Sequence, residues 1–168
     1  MKQLLVITLL VLTGCASHLS SDSPPLDAKQ VVYIMPFTNQ SATPMAQAQA
    51  EQLLASALAD AGIKAELYPR AAISDLQASI EPEQRQKAAE QWLATKQQGY
   101  VIYGVVQEWQ YKYGLDGEPA VGVTLQLTDT QGREIWRGSA ARSGWGRESL
   151  SHLAMKTFAD LSENLDWN

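Results

Sequence analysis

The sequence predicts a single-domain α/β sandwich, and three observations predict it. In the first half, β-prone apolar runs alternate with Ala/Gln/Leu-rich stretches, as at 31–35 and 45–61. In the second half the pattern turns to period two: Val121, Val123, Leu125 and Leu127 share one face, and Gly122, Thr124 and Gln126 share the other. A last apolar stripe at helical spacing, Leu150, Leu153, Ala154 and Leu161, closes the chain, and Leu165 extends it. The order β-α-β-α-β-β-β-α follows: a mixed sheet with a C-terminal antiparallel meander and helices packed on it.

Taken in order, Val31-Val32-Tyr33-Ile34-Met35 is apolar throughout and ends at Pro36, which reads as a strand covered on both faces. Thr43-Pro44 opens a helix over 45–61, with Thr43 as N-cap, Pro44 at the first helical position and Gly62 as its stop. A short strand follows at 63–68, and 70–81 holds an irregular turn. Pro82 starts a second helix to about residue 98, with Ala88, Ala89, Trp92 and Leu93 as its buried stripe and Gly99 as its stop. The strand at 100–113 is long. Its second half sets Trp109, Tyr111 and Tyr113 against Glu108, Gln110 and Lys112. A loop at 114–119 leads to a strand at 120–128, the turn Asp129-Thr130-Gln131-Gly132 follows, and 133–142 is the last strand. The final helix spans 148–164.

The N-terminus reads separately. Lys2 is a positive n-region, residues 4–12 an apolar h-region, and Leu12-Thr13-Gly14-Cys15 has the form of a lipobox. Nine residues are too few to span a bilayer, which takes roughly 20. The expectation is a lipoprotein: 1–14 is the removed signal peptide, Cys15 is the lipidated residue, 15–29 is a flexible tether rich in Ser and Pro, and 30–168 is the periplasmic domain. Cys15 is the only cysteine, so no disulfide is expected. Loss of Lys2 takes the formal charge from −5 to −6. An acidic surface argues against nucleic acid and points to a cationic partner.

Catalytic chemistry finds little to stand on. His18 lies in the tether and His152 beside an apolar stripe, two histidines not spaced for a metal. Ser139, Ser143, Ser149 and Ser151 lack a nucleophile-elbow motif, and no Gly-rich phosphate loop follows a strand. No catalytic residue, metal or cofactor is therefore assigned. Two features remain. Asp75, Glu81, Glu83, Glu108, Asp116 and Glu118 are carboxylates at or near loops, and repetition around an axis would turn them into an acidic rim. Trp145 stands between Gly144 and Gly146, with Arg142 and Arg147 nearby, in a strand-to-helix turn. It is either a buried anchor or a contact with the membrane interface.

The stretches GYVIYGVVQEWQYKYGLDGEPAVGV (99–123) and SGWGRESL (143–150) resemble the PelC family, outer-membrane lipoproteins of Pel exopolysaccharide export. The most specific parts are YGLDGEPAVG and SGWGRES, and the similarity runs over 31–161. The wider fold is similar to the periplasmic domain of curli-secretion lipoproteins and the N-terminal domain of TolB. The resemblance implies a non-enzymatic ring of roughly a dozen subunits, anchored at the periplasmic face of the outer membrane beneath an export β-barrel. Such a ring presents an acidic funnel to a cationic polysaccharide. On this reading Asp116, Glu118, Asp75, Glu81 and Glu83 guide polymer, Tyr111 and Tyr113 form a subunit contact, and Trp145, Arg142 and Arg147 meet membrane. The alternative from another class is a lipoprotein that binds and activates a periplasmic cell-wall enzyme.

Overall fold

The computed structural model describes residues 16–69, 81–112, 117–145 and 147–168. Ten elements follow one another: β1 (Ala16–Ser20), β2 (Val32–Ile34), β3 (Thr38–Asn39), α1 (Ala46–Asp60), β4 (Ala65–Leu67), α2 (Pro82–Leu93), β5 (Tyr100–Lys112), β6 (Glu118–Asp129), β7 (Glu134–Ser143) and α3 (Leu150–Glu163). The seven strands make one mixed sheet in the order β1-β7-β6-β5-β2-β4, with β3 also paired to β5. β2 runs parallel to β4 and β5, and β5, β6, β7 and β1 run antiparallel. The predicted α/β sandwich and C-terminal meander are thus present.

One face of the sheet carries the main core. Val121, Val123, Leu125 and Leu127 of β6 meet Ile102, Val106 and Trp109 of β5, Trp136 of β7, Leu54 and Leu58 of α1, and Leu153, Phe158 and Leu161 of α3. Here the alternation legible in β6 does its packing. The smaller helix α2 covers the opposite face of the sheet, where Ala89 and Trp92 meet Tyr33, Met35, Tyr68 and Val101. The Tyr33 and Trp92 rings stack edge to face at 5.5 Å. A β-bulge between Val106 and Glu108 keeps Trp109 facing the main core and Glu108 on the opposite face.

Helix ends follow their sequence signals in part. α1 stops at Gly62 in a Schellman arrangement: Gly62, at φ 79°, donates its N–H to Ala59, and Ile63 donates to Leu58. Ser149 caps α3 through its hydroxyl, which accepts from the His152 N–H at 3.1 Å. At the start of α1 the structure differs from the sequence reading. The helix begins at Ala46 behind Met45, which adopts a left-handed φ of 61°, and no side chain caps it. The Thr43 hydroxyl donates instead to the Trp109 carbonyl, a tertiary bond that ties the loop to β5. α2 ends at Leu93, earlier than predicted, and 94–98 turns toward β5.

The N-terminal segment also differs. Residues 16–20, read as tether, form a strand on the free edge of β7, with Ala16 opposite Arg142 and Ser20 opposite Gly138. Leu26 is buried at 2% exposure, bridges to Trp167 and joins the main core. The Asp27 N–H donates to the Tyr100 hydroxyl. The segment is a strap along the domain, fixed by edge pairing and by one apolar plug.

Candidate functional site

Strand register gathers one end of the molecule. The end of β5 (Lys112) lies opposite the start of β6 (Glu118), Ala120 pairs with Ser143 at the end of β7, and Ala16 pairs with Arg142. The turn to α3 leaves from the same place. The first described residue after Cys15 therefore lies beside the strand end that carries Trp145.

Trp145 is 58% exposed, so in the isolated subunit it is not a buried anchor. Its carbonyl accepts from the Arg147 and Glu148 N–H groups at 2.7 and 2.8 Å, so the backbone of the turn is held while the indole stands out. Gly144 is required on this turn. A Cβ there would collide with the Glu148 carboxylate and stand 2.9 Å from Pro119 Cγ, and its N–H already donates to the Pro119 carbonyl. Behind the turn, Glu148 accepts from Lys156 Nζ at 2.7 Å and faces His152 Nδ1 at 3.4 Å. The Lys156 ammonium holds the Glu148 carboxyl below its usual range against the opposing effect of burial, and His152 adds to the lowering.

The two arginines divide. Arg142 is bound to Asp160 of α3 in a charged hydrogen bond, so its role as a free cation beside Trp145 is corrected: it clamps β7 to α3. Arg147 is exposed and forms no ion pair among the described residues. Tyr111 is half exposed, and its hydroxyl accepts from the Leu150 N–H at 3.0 Å, so it also caps the start of α3.

The carboxylates fall into separate groups. Glu108 faces Lys112 Nζ at 3.5 Å, which offsets its charge. Glu118 is exposed at the start of β6, on the same end as Trp145. Glu81 and Glu83 are exposed at the start of α2, and Glu83 lines a cleft shared with Phe37 and Met45. Among the described residues no hydrogen bond or ion pair joins these two to Glu118. Cys15, Asp75, Tyr113 and Asp116 lie outside the described residues. Among the described residues no cluster of three or more His, Asp or Glu side chains could hold a metal.

One buried charge escaped sequence reading. Glu51 in the middle of α1 is 0% exposed. It accepts from the Phe37 N–H at 2.8 Å and the Tyr68 hydroxyl at 3.1 Å, and Arg85 of α2 approaches at 3.8 Å. Arg85 also donates to the Phe37 carbonyl at 2.9 Å. Phe37 follows the proline that interrupts the edge between β2 and β3, so Glu51 and Arg85 satisfy backbone groups that the ladder leaves there. A Glu amid the Ala, Gln and Leu of α1 carries no signal of this role.

No protein-family model matches the chain, and no curated protein sequence does. Solved structures do. The chain is similar to the PelC dodecamer of Paraburkholderia phytofirmans, at 29% identity and a TM-score of 0.75, over 92% of this chain and 99% of that one. A single-substitution variant of that dodecamer gives 29% identity and a TM-score of 0.70, over 92% and 100%. Lipoprotein GNA1162 from Neisseria meningitidis shares the fold, at 20% identity and a TM-score of 0.56, over 80% and 96%. Fold and layout thus define a single-domain α/β protein whose N-terminal strap and exposed tryptophan turn share one end. In fold and in sequence the chain is PelC-like.

Proposed function

We propose that the chain is one subunit of a ring-forming lipoprotein at the periplasmic face of the outer membrane, and that the ring guides a cationic exopolysaccharide of the Pel type to its export β-barrel. The observation that carries this reading is the match over 92% of the chain to a protein that forms a PelC dodecamer. Similarity over nearly the full length of both chains supports a closed head-to-tail ring for this chain as well. The lipobox ending at Cys15 supports the anchor. Exposed Trp145 and Arg147, on the end where β1 begins, support a second contact with headgroups. The formal charge of −5, repeated around an axis, supports attraction of a cationic polymer. Glu118 and Asp116 are the first candidates for the acidic rim, with Asp75, Glu81 and Glu83 after them, and the Tyr111–Tyr113 end is the candidate subunit contact. The role is one of binding and guidance, without a catalytic step.

The test is polymer secretion in cells whose own copy is replaced by Asp116→Lys with Glu118→Lys. Secretion falls while the membrane-bound assembly persists. Undiminished secretion rules out guidance at these two positions, and the same exchange at Asp75, Glu81 and Glu83 then decides the remaining set.

A further inference from the structure

The sheet has one face that its own helices leave open. On the side opposite the main core, α2 packs over β2 and β5, where it meets Tyr33 and Val101. Beyond it the outer strands carry two rungs of small, uncharged side chains. Leu19, Ser139 and Thr124 form one rung, and Ser17, Ala141 and Gly122 the next. They line a shallow depression of about 310 Å³ with no Asp, Glu, Lys or Arg among its described residues. Leu19 projects from it at 79% exposure. The central hydroxyls are already bonded: Thr124 Oγ1 accepts from Gln107 Nε2 at 2.6 Å and pairs with Ser139 Oγ at 2.8 Å. Covering them leaves neither without a partner. The ion pairs Glu108–Lys112 and Glu134–Arg137 bound the patch at its two ends. A second uncharged surface lies on the other side of the sandwich. Between Ala46 and Ala59 the one charged residue of α1 is Glu51, and it is buried. The helix turns Gln49, Gln52, Ser56 and Ala59 outward. A helix facing water normally carries charge on its outer side, as α2 does with Glu83, Lys87 and Glu90.

We propose that the open sheet face docks the α1 face of a second copy of this chain, head to tail. The inference rests on the ring reading above and names its interface. A ring needs two different surfaces on each copy, and these two lie on opposite sides of one sheet. Copies with a formal charge of −5 repel one another, and uncharged faces are where they approach closely. The similar chain of Paraburkholderia phytofirmans assembles as a dodecamer, so a second copy is the occupant that the similarity supports. Small side chains on both faces let helix and sheet come near, and Leu19 supplies an apolar anchor for the neighbour's helix to bury. Tyr111 fits the same contact. It stands on the helix side of β5, two residues past Trp109, whose indole N–H donates to Gln49 of α1 at 3.2 Å.

The experiment uses the full lipidated chain in detergent, with masses read by native mass spectrometry and by denaturing gel. With Cys15 acylated no free thiol remains, so Ala141→Cys and Gln52→Cys, both at exposed positions, add the only reactive ones. A short bismaleimide then gives a ladder of covalent multimers from the variant with both cysteines. Either single variant stays monomeric on the gel, and co-expression of the two gives covalent dimers and nothing larger. Leu19→Arg, at an exposed position, keeps its Tm and loses the ring. An intact ring in Leu19→Arg, or a ring in the double-cysteine variant that yields no ladder, would overturn this interface and leave the ring reading standing. Covalent dimers from a single variant would also overturn it, because a face that meets its own copy makes a two-fold pair. A monomer in the unaltered protein would overturn the ring reading and this proposal together.

Discussion

Ala16 pairs with Arg142 across the outermost ladder of the sheet, so the chain enters the fold at the residue next to Cys15. If Cys15 is acylated as proposed, the anchor precedes by one residue the strand that pairs with the end of β7. Arg142 is in turn clamped to Asp160 on α3, which stiffens that corner. Trp145 leaves the same strand three residues on. On the proposed reading, a lipid anchor and Trp145 held on one end of the fold would engage a membrane together, each raising the effective concentration of the other.

Replacing 16–20 by Gly-Ser-Gly-Ser-Gly keeps Cys15 but removes the strap. Amide hydrogens of Gly138 to Arg142 then exchange faster, because β7 becomes the edge, and Tm changes little. Unchanged exchange in β7 would show that β1 does not hold the edge in solution.

Trp145→Ala leaves stability within about 0.5 kcal/mol, as befits an exposed side chain, and weakens binding of the unlipidated domain to phospholipid vesicles. Trp109→Ala, at 1% exposure in the main core, costs about 3–5 kcal/mol by urea unfolding. Equal losses in the two variants would mean that Trp145 is packed against something in the assembled protein.

Glu51→Ala removes the acceptor of the Phe37 N–H and leaves Arg85 buried beside the gap. The expected loss is about 3–5 kcal/mol in denaturant unfolding, as for other broken buried pairs. A loss below about 1 kcal/mol would show that water reaches the site.

Glu148 gives the acid limb of stability a signature. Lys156 lowers its carboxyl in the folded state, so the unfolded chain takes up the proton first as pH falls. Its contribution is complete above the usual carboxyl value of 4.5 and is lost as pH falls through the lower, folded value. Glu148→Gln lacks the contribution, so its thermal stability falls less steeply between those two values than that of the parent. Identical slopes in Tm against pH would mean that the Lys156 pair does not form.

Much of the fold was legible because its signals are local. The β6 alternation, the Gly62 stop and the α3 stripe all lie within a few residues of what they determine, whereas the cap at Ser149 reads in sequence as part of the helix. What was not legible depends on distant partners. Residues 16–20 are polar and small, and only the exposed edge of β7, more than a hundred residues on, makes them a strand. Thr43 and Pro44 carry the right signal for a helix start, but Met45 behind them turns left-handed and the helix begins only at Ala46, while the Thr43 hydroxyl donates to the distant Trp109 carbonyl. Arg142 looks like a free cation in sequence and is spent on Asp160. At the candidate site, the sequence left Trp145 open between burial and exposure, its flanking glycines arguing only for the latter, and nothing near Glu51 in sequence announced burial.

The central claim is a closed ring, and the mass of the detergent-solubilised lipidated protein tests it most directly. Native mass spectrometry gives a single closed species of roughly twelve subunits if this PelC-like chain assembles as the similar dodecamer does. Tyr111→Glu with Tyr113→Glu shifts that species to smaller ones if the contact lies at the end of β5. A monomer or dimer for the unaltered protein, at concentrations where it is membrane-bound and folded, would contradict the account.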